Sequence, residues 1–149
     1  MAETGNRPDP FMAFRFEIKI DGLSAGGFSE CSGLTLETEI KDFEEGGQNR
    51  YVHKFPTRTK QTNITLKRGV TDKKMWDWYM DIVNGQITPT SYKSGSILVY
   101  DPSGGQVVME WQFSRAFPCK WSGPELDAKQ SNVAVETFEL CHHGLTRRK

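Results

Sequence analysis

The chain has 149 residues, a length that fits one domain with a single sizeable core. Lysine and arginine together number 19, and so do aspartate and glutamate, so the basic excess expected of a nucleic-acid-binding protein is missing. A net charge of zero instead suits a subunit that packs against copies of itself.

The cysteines and the N-terminal segment predict the compartment. Cys31, Cys119 and Cys141 are odd in number and widely spaced, which favours neither a disulfide framework nor a structural zinc site. Residues 1–10 form a charged, proline-containing N-terminus that we expect to be flexible, without the apolar region of a signal peptide. We therefore expect synthesis in the cytoplasm and no membrane binding by the subunit alone.

Three segments alternate apolar and polar residues with period two. They are residues 14–20, residues 34–41 and residues 63–67. Alternation of this kind places one face of a strand against a core and the other in water. Each segment therefore predicts a half-buried β-strand.

A β-hairpin and a last strand follow nearer the C-terminus. Residues 97–100 and 107–113 flank the segment 101–105, whose proline and glycines supply the backbone angles of a tight turn. Residues 133–141 give the last predicted strand. The sequence as a whole predicts a mainly β fold.

One helix interrupts the strands, at about residues 71–84. Thr71 can cap its start and Gly85 can close its end. Lys73, Asp77 and Asp81 make one narrow polar stripe, and the other positions are mostly apolar, including two tryptophans and a tyrosine. One sheet cannot cover so much apolar surface. Either the helix lies deep between two sheets of its own subunit, or a neighbouring subunit shares it.

The segment of residues 41–60 predicts a long, projecting β-arm. Its first half is acidic and its second half basic, with a bend at Gly46 and Gly47. A loop of this length is usually functional or disordered, and Phe43 and Phe55 argue against disorder. One interpretation is an arm that lies on the next subunit. The other is a solvated hairpin with ion pairs between its own strands.

The sequence offers little catalytic chemistry. Residues 22–26 match a G-x-S-x-G nucleophile elbow, but no helix directly follows Ser24, as that motif requires. Residues 141–143, Cys-His-His, alternate across a strand and so do not converge on one metal. We predict no catalytic residue, no cofactor and no metal site, and we expect the basic tail, residues 146–149, to be frayed.

Several segments, in order, resemble the phage tail tube family in its contractile-tail branch. They are residues 27–34, 67–71 running into Trp76, 100–105, 111–113, 116–118, 120–124, 131–137 and 142–145. The likeness extends from about Phe11 to Leu145 and is nearest to the tubes of extracellular contractile injection systems.

The resemblance implies a fold and an assembly. The fold is a single domain, residues 1–149, of two packed antiparallel sheets that form a small barrel with one flanking helix. The assembly is a stack of homohexameric rings, a hollow conduit inside a contractile sheath. Implied partners are the sheath protein, baseplate or spike and tube-terminating proteins, and cargo or DNA in the lumen. The alternative is a secreted hexameric carrier ring like the haemolysin-coregulated protein of type VI secretion.

Within such an assembly the residues predict three surfaces. The arm contacts a neighbouring subunit through Glu44, Glu45, Arg50, Lys54 and Arg58. The helix contributes Trp76 and Tyr79 to the ring interface. The wet faces of two strands supply candidates for the lumen wall, namely Thr35, Glu37, Glu39, Asn63, Thr65 and Lys67.

Overall fold

The computed structural model describes residues 15–23, 27–44, 46–47, 52–70, 72–129, 131 and 133–149. The strands in this part of the chain are β1 (Phe16–Ile20), β2 (Phe28–Ser32), β3 (Leu36–Phe43), β4 (His53–Gln61), β5 (Ile64–Gly69), β6 (Lys93–Tyr100), β7 (Val107–Ser122), β8 (Val135–Cys141) and β9 (Gly144–Arg147). Helix α1 spans Lys74–Val83, and a 3₁₀ turn spans Pro89–Ser91.

Two antiparallel sheets meet along the long strand β7. The hydrogen-bonded order is β1-β6-β7-β8-β5-β2, with β9 also on β7 and with β3 and β4 paired separately. The first part of β7 pairs with β6 and β9, and its last part pairs with β8. The predicted mainly β fold of two antiparallel sheets and one helix is confirmed.

The predicted closure into a barrel is not found. Among the described residues the path of paired strands ends at β1 on one side and at β2 on the other. The core lies between the two sheets, with Ile18 and Ile97 from the first and Leu66 and Phe138 from the second. The architecture is an open sandwich in which the two sheets share one bent strand, β7.

The alternation in β1 and β5 is confirmed. Ile18 and Ile20 are 3% and 4% exposed, while their charged neighbours face water. Ile64 and Leu66 of β5 are equally buried. Residue 14, where we predicted that β1 would begin, lies outside the described residues.

The hairpin β6–β7 forms as predicted around residues 101–106. The Asp101 carboxylate accepts hydrogen bonds from the Ser103 hydroxyl at 2.8 Å and from the Gly105 amide at 3.0 Å, which lowers the pKa of this carboxyl. Gly104 has φ +76°, a conformation that favours glycine.

Helix α1 is shorter than predicted at its N-terminus. Thr71 lies outside the described residues, and the side chain of Asp72 accepts a hydrogen bond from the Lys74 amide at 3.1 Å. Asp72 therefore precedes the helix, whose N-cap residue is Lys73 and has no side-chain capping bond. At the other end Gly85 closes the helix with φ +74°, as predicted.

The helix lies on the flank of the sandwich. Met75 and Trp78 enter the core, and the Trp78 indole N–H donates to the Ser91 carbonyl at 2.8 Å. The outer side carries the exposed polar stripe, and Val83 is 56% exposed. The interpretation that the helix is sunk between two sheets is therefore wrong.

The C-terminal segment differs from the frayed tail that we expected. In β9, Thr146 pairs with Gln112 and Arg147 pairs with Trp111 of β7. The Arg148 amide continues the ladder to the Glu110 carbonyl at 2.8 Å. Backbone pairing holds the tail, because β7 would otherwise present unpaired amide and carbonyl groups along this stretch.

Candidate functional site: the projecting hairpin and the outer surfaces

The predicted arm is a two-stranded hairpin built from β3 and β4. It pairs antiparallel from Leu36 opposite Gln61 to Phe43 opposite His53, with an irregularity after Thr38. Most of its residues are exposed on both faces. The strand pairing therefore begins before the predicted limit of residue 41, and the hairpin projects as predicted.

The hairpin leaves large apolar side chains in water. Leu36, Ile40, Phe43 and Phe55 are 53%, 61%, 51% and 52% exposed. We predicted that the apolar face of residues 34–41 would be buried, but in the single chain the apolar side chains of β3 are exposed to solvent. Because an isolated two-stranded hairpin is only marginally stable in water, such a surface is typical of one that another chain covers.

The two faces of the hairpin differ in chemistry. One carries Ile40 directly opposite Pro56. The other carries an aromatic group near the tip, in which the Phe43 and Phe55 rings meet edge to face with centroids 6.4 Å apart. His53 stacks on Phe55 with the same spacing. Both faces thus present apolar contact surface.

The charged residues of the hairpin pair partly within it. Lys60 forms an ion pair with Glu39 of the opposite strand, and Lys54 lies opposite Asp42. This agrees with the interpretation of cross-strand pairing, which by itself contributes about 0.2–1 kcal/mol per pair. Glu44, Lys54 and Arg58 from the predicted contact set are exposed. Glu45 and Arg50 lie outside the described residues.

The helix residues predicted at the ring interface already contact their own subunit. Trp76 packs edge to face on Trp121 of β7 at 4.6 Å between centroids. The Tyr79 hydroxyl donates to the Cys119 carbonyl at 3.5 Å. Both side chains are half-buried, so each keeps surface free for a further contact.

The six candidate lumen residues fall on two separate surfaces. Glu37 and Glu39 lie on the hairpin, and the exposed Thr35 precedes it. Asn63, Thr65 and Lys67 belong instead to the outer face of the second sheet. The sequence pattern identified both faces as polar but could not show that β3 leaves the sandwich.

The outer face of the second sheet is a continuous polar surface. In one row Thr65 lies between Ser32 and Glu139, and in the next Lys67 lies between Glu30 and Thr137. The Lys67 ammonium is 3.4 Å from the Glu30 carboxylate. Asn63 donates to the Glu139 carboxylate at 2.7 Å. The charged groups named on this face are therefore held by an ion pair or a hydrogen bond.

A buried arginine links this sheet to the start of the helix. Arg68 is 1% exposed; its Nε donates to Glu136 at 2.8 Å and its Nη2 donates to Asp72 at 2.9 Å. The Trp121 indole N–H donates to the other Glu136 oxygen at 3.2 Å. The Lys74 amide, followed by the Arg68 guanidinium, lowers the pKa of Asp72. The network fixes where the chain leaves β5 for the helix.

The candidate catalytic and metal-binding residues do not assemble a site in the described part of the chain. Ser24 lies outside it. His142 Nε2 lies 3.0 Å from the Thr62 carbonyl, whereas the His143 ring lies beside Tyr92. Among the described residues no group of three or more histidine, cysteine, aspartate or glutamate side chains is placed to hold a metal. Nor is any helix there long and apolar enough to span a membrane.

Sequence reasoning missed the most distinctive feature of the candidate site, its exposed apolar residues. The sequence favours order at Phe43 and Phe55 and predicts burial of Ile40, but it does not predict that all three side chains are exposed. One feature of the sequence could have indicated this exposure. The strands that carry these residues lie within or next to residues 41–60, the segment with separate acidic and basic halves.

Comparison with protein families gives one match that covers most of the chain. Residues 12–146 match the model of the T4-like virus tail tube protein gp19. No curated protein matches the sequence significantly.

Solved structures with the same fold include chains of a contractile injection system. The tube of the PVC extracellular contractile injection system, in a sheath-tube complex in the extended state, has a TM-score of 0.78 at 27% identity over 93% of this chain and 91% of that one. A chain of the 6-fold symmetrised anti-feeding prophage (AFP) baseplate has 0.83 at 21%, over 95% and 97%. Hcp1 from Flavobacterium johnsoniae has 0.54 at 16%, over 89% and 93%, which shows a shared fold alone.

Proposed function

The chain belongs to the family of T4-like virus tail tube proteins, and from this premise we propose that its copies build the inner tube of a contractile injection particle. The observation that carries the proposal is the family match over residues 12–146, joined to the likeness to a tube chain at 27% identity. The protein is a structural subunit, as the members of its family are, and not an enzyme.

Homohexameric rings stacked into a hollow tube are the assembly we propose. The 6-fold symmetry of the AFP baseplate, which contains a similar chain, supports the ring. A ring needs a contact that closes by rotation, and a stack needs a second contact that stays open-ended. The chain presents separate surfaces for these two contacts, because the hairpin and the helix flank are distinct elements.

The hairpin is one of these surfaces, and we assign it to contact with a neighbouring subunit. Covering Ile40 on one face and Phe43 and Phe55 on the other would remove large exposed apolar side chains from water. The exposed charges of Glu44, Lys54 and Arg58, with Glu45 and Arg50 from the same segment, would set the register of that contact.

The helix flank supplies the surface for the contact within the ring. Trp76 and Tyr79 are half-buried on β7. Aromatic residues of this kind anchor interfaces because they bury much area with few rotatable bonds. We assign both residues to the ring interface.

For the lumen wall we favour the polar outer face of the second sheet, with Asn63, Thr65 and Lys67. Paired charges such as Lys67 and Glu30 neutralise one another and leave a hydrated surface. A wall of this kind gives passing cargo few apolar contacts. The hairpin residues Thr35, Glu37 and Glu39 are less suited to it, because they lie on or beside the arm.

The tube takes its place in a larger particle. Its partners are further copies of the chain, the contractile sheath and the baseplate and tube-terminating proteins, as in the PVC and AFP particles. We infer synthesis in the cytoplasm, which agrees with the unpaired state of Cys31, Cys119 and Cys141. Cargo or DNA would then pass through the lumen. A secreted carrier ring is the weaker alternative, since it rests on a fold likeness at 16% identity.

Electron microscopy of the purified full-length chain tests the assembly. Stacked rings forming long tubes support the tube, whereas isolated hexamers at every concentration support the carrier ring. A strictly monomeric chain would contradict both.

A charge reversal tests the arm. Changing Glu44 and Glu45 to lysine should reduce tube formation, and additional glutamates at Arg50 and Arg58 should partly restore it. Unimpaired tubes in the variant with lysines at 44 and 45 would contradict the arm assignment while leaving the tube itself intact.

A further inference from the structure

Two of the three cysteines lie together where β7 pairs with β8. Cys119 occupies an irregular step of the ladder, because Pro118 lies opposite Leu140 while Lys120 lies opposite Glu139. Cys141 is the residue that follows Leu140 on β8. The bulged position therefore brings Cys119 diagonally next to Cys141.

The contacts of Cys119 hold its thiol at that step. Its Sγ donates to the Glu139 carbonyl at 3.3 Å and accepts from the Asn63 amide at 3.6 Å. Cys141 is also close enough to the Cys119 thiol to raise its pKa. Both side chains are only half-buried, so a small solute can approach them.

Cys31 provides an internal contrast. It lies on β2 opposite Leu66, away from the other two cysteines. Burial raises the pKa of its thiol to about 11, which disfavours the reactive thiolate. The chain thus contains one adjacent pair of thiols and one separate thiol.

We propose that Cys119 and Cys141 form a modification site at which a low-molecular-weight disulfide oxidises the pair to a cross-strand disulfide. A disulfide requires a short separation between its two residues, and the register of β7 and β8 places Cys119 and Cys141 on neighbouring strands beside the bulged step. The inference does not depend on the proposed function. Its effect would be to tie the shared strand β7 covalently to β8.

The reaction proceeds by two thiol–disulfide exchanges. The Cys141 thiolate attacks one sulfur of glutathione disulfide, the S–S bond breaks, and one glutathione thiolate leaves. Cys119 then gives up its proton to water and attacks the Cys141 sulfur of the mixed disulfide, expelling the second glutathione. Two protein thiols lose two electrons and two protons, and one glutathione disulfide becomes two glutathione thiols.

The second exchange should be the slower one and should accelerate with pH. Burial, followed by the contact with Cys141, raises the pKa of the Cys119 thiol to about 12. The titratable groups that face it in the described structure are Cys141 and Glu139, with Tyr79 at its carbonyl. Because little thiolate forms at neutral pH, the mixed disulfide on Cys141 should accumulate there and resolve at higher pH.

Mass spectrometry of the full-length chain tests the site. The wild type and the Cys31→Ser control are treated with glutathione disulfide at about pH 7 and about pH 9, then acid-quenched and mapped without reduction. We expect a glutathione adduct on Cys141 first and a Cys119–Cys141 disulfide at the higher pH. The Cys119→Ser and Cys119→Ala variants should stop at the adduct.

A melting experiment supplies the second readout. Oxidised wild type should melt several degrees higher than the reduced protein, and a reductant should abolish the difference. The proposal is overturned if the folded wild type stays fully reduced, if the adduct persists at about pH 9, or if the disulfide formed includes Cys31.

Discussion

Replacing Ile40 by threonine removes part of the apolar surface of the hairpin while keeping a β-branched side chain suited to a strand. Ile40 is 61% exposed in the single chain. Its loss should therefore leave the core and the folding of the subunit nearly unchanged. If a neighbouring subunit covers Ile40 in the tube, the substitution should instead weaken each subunit contact.

The size of the effect follows from the exposed fraction. Fully burying an isoleucine side chain contributes about 1.5–3 kcal/mol, and the fraction of Ile40 still exposed accounts for roughly 1–2 kcal/mol of it. Since about 1.4 kcal/mol is a tenfold change in an equilibrium constant, the critical concentration for tube growth should rise roughly 5- to 30-fold. Ile40→Val loses one methylene and should raise it only about two- to fourfold.

Sedimentation of assembled tubes over a concentration series measures this critical concentration. Circular dichroism of the unassembled variants establishes that they are folded. Thr59→Ser, on the strand opposite, is a control that changes little apolar area. An Ile40→Thr chain that is folded and assembles at the wild-type critical concentration would refute the assignment of this face to a subunit contact.

Three further predictions concern the stability of the unassembled subunit, measured by urea unfolding. Glu136→Gln, which removes the buried one of the two carboxylates that pair with Arg68, should cost about 1.5–3 kcal/mol, whereas Glu30→Gln at an exposed ion pair should cost no more than about 1 kcal/mol. Gly95→Ala should cost about 1–3 kcal/mol, because its Cβ would lie 2.6 Å from a backbone carbonyl of β1; Gly105→Ala, with nothing nearer than 3.5 Å, is the control. Folding lowers the pKa of Asp72, so the contribution of its carboxylate to the free energy of unfolding is complete above the ordinary pKa of 3.8 and is lost as the pH falls through the folded pKa. Asp72→Asn should therefore make the free energy of unfolding depend less on pH in this acid range. An unchanged pH profile would contradict this prediction.

The parts of the fold that the sequence predicted are those in which local chemistry decides the structure. Strand β1 follows from alternation, because Ile18 and Ile20 must leave water while their neighbours need not. The turn at Asp101 and Gly104 follows from backbone preferences, and the helix end follows from Gly85. None of these required knowledge of a distant part of the chain.

The long strand β7 was harder to predict because its periodicity is broken. Phe113 and Ala116 are both buried although they are three residues apart, and Arg115 between them has φ +50°. The break marks the place where β7 passes from one sheet to the other. Strand β9 was missed because its residues pair through the backbone and show no alternation of burial.

The hairpin shows what a period-two pattern measures. Leu36 and Ile40 alternate with polar residues as regularly as the buried residues of β1, yet in the single chain they remain in water. Alternation predicts that the apolar face of a strand is buried. It does not distinguish burial against the rest of the same chain from burial against another copy of the chain. In a tube, another copy of the chain is available to bury this face at every position along the polymer. The exposure of Leu36 and Ile40 is therefore an argument for the proposed assembly, because a neighbouring chain on the hairpin would cover these side chains.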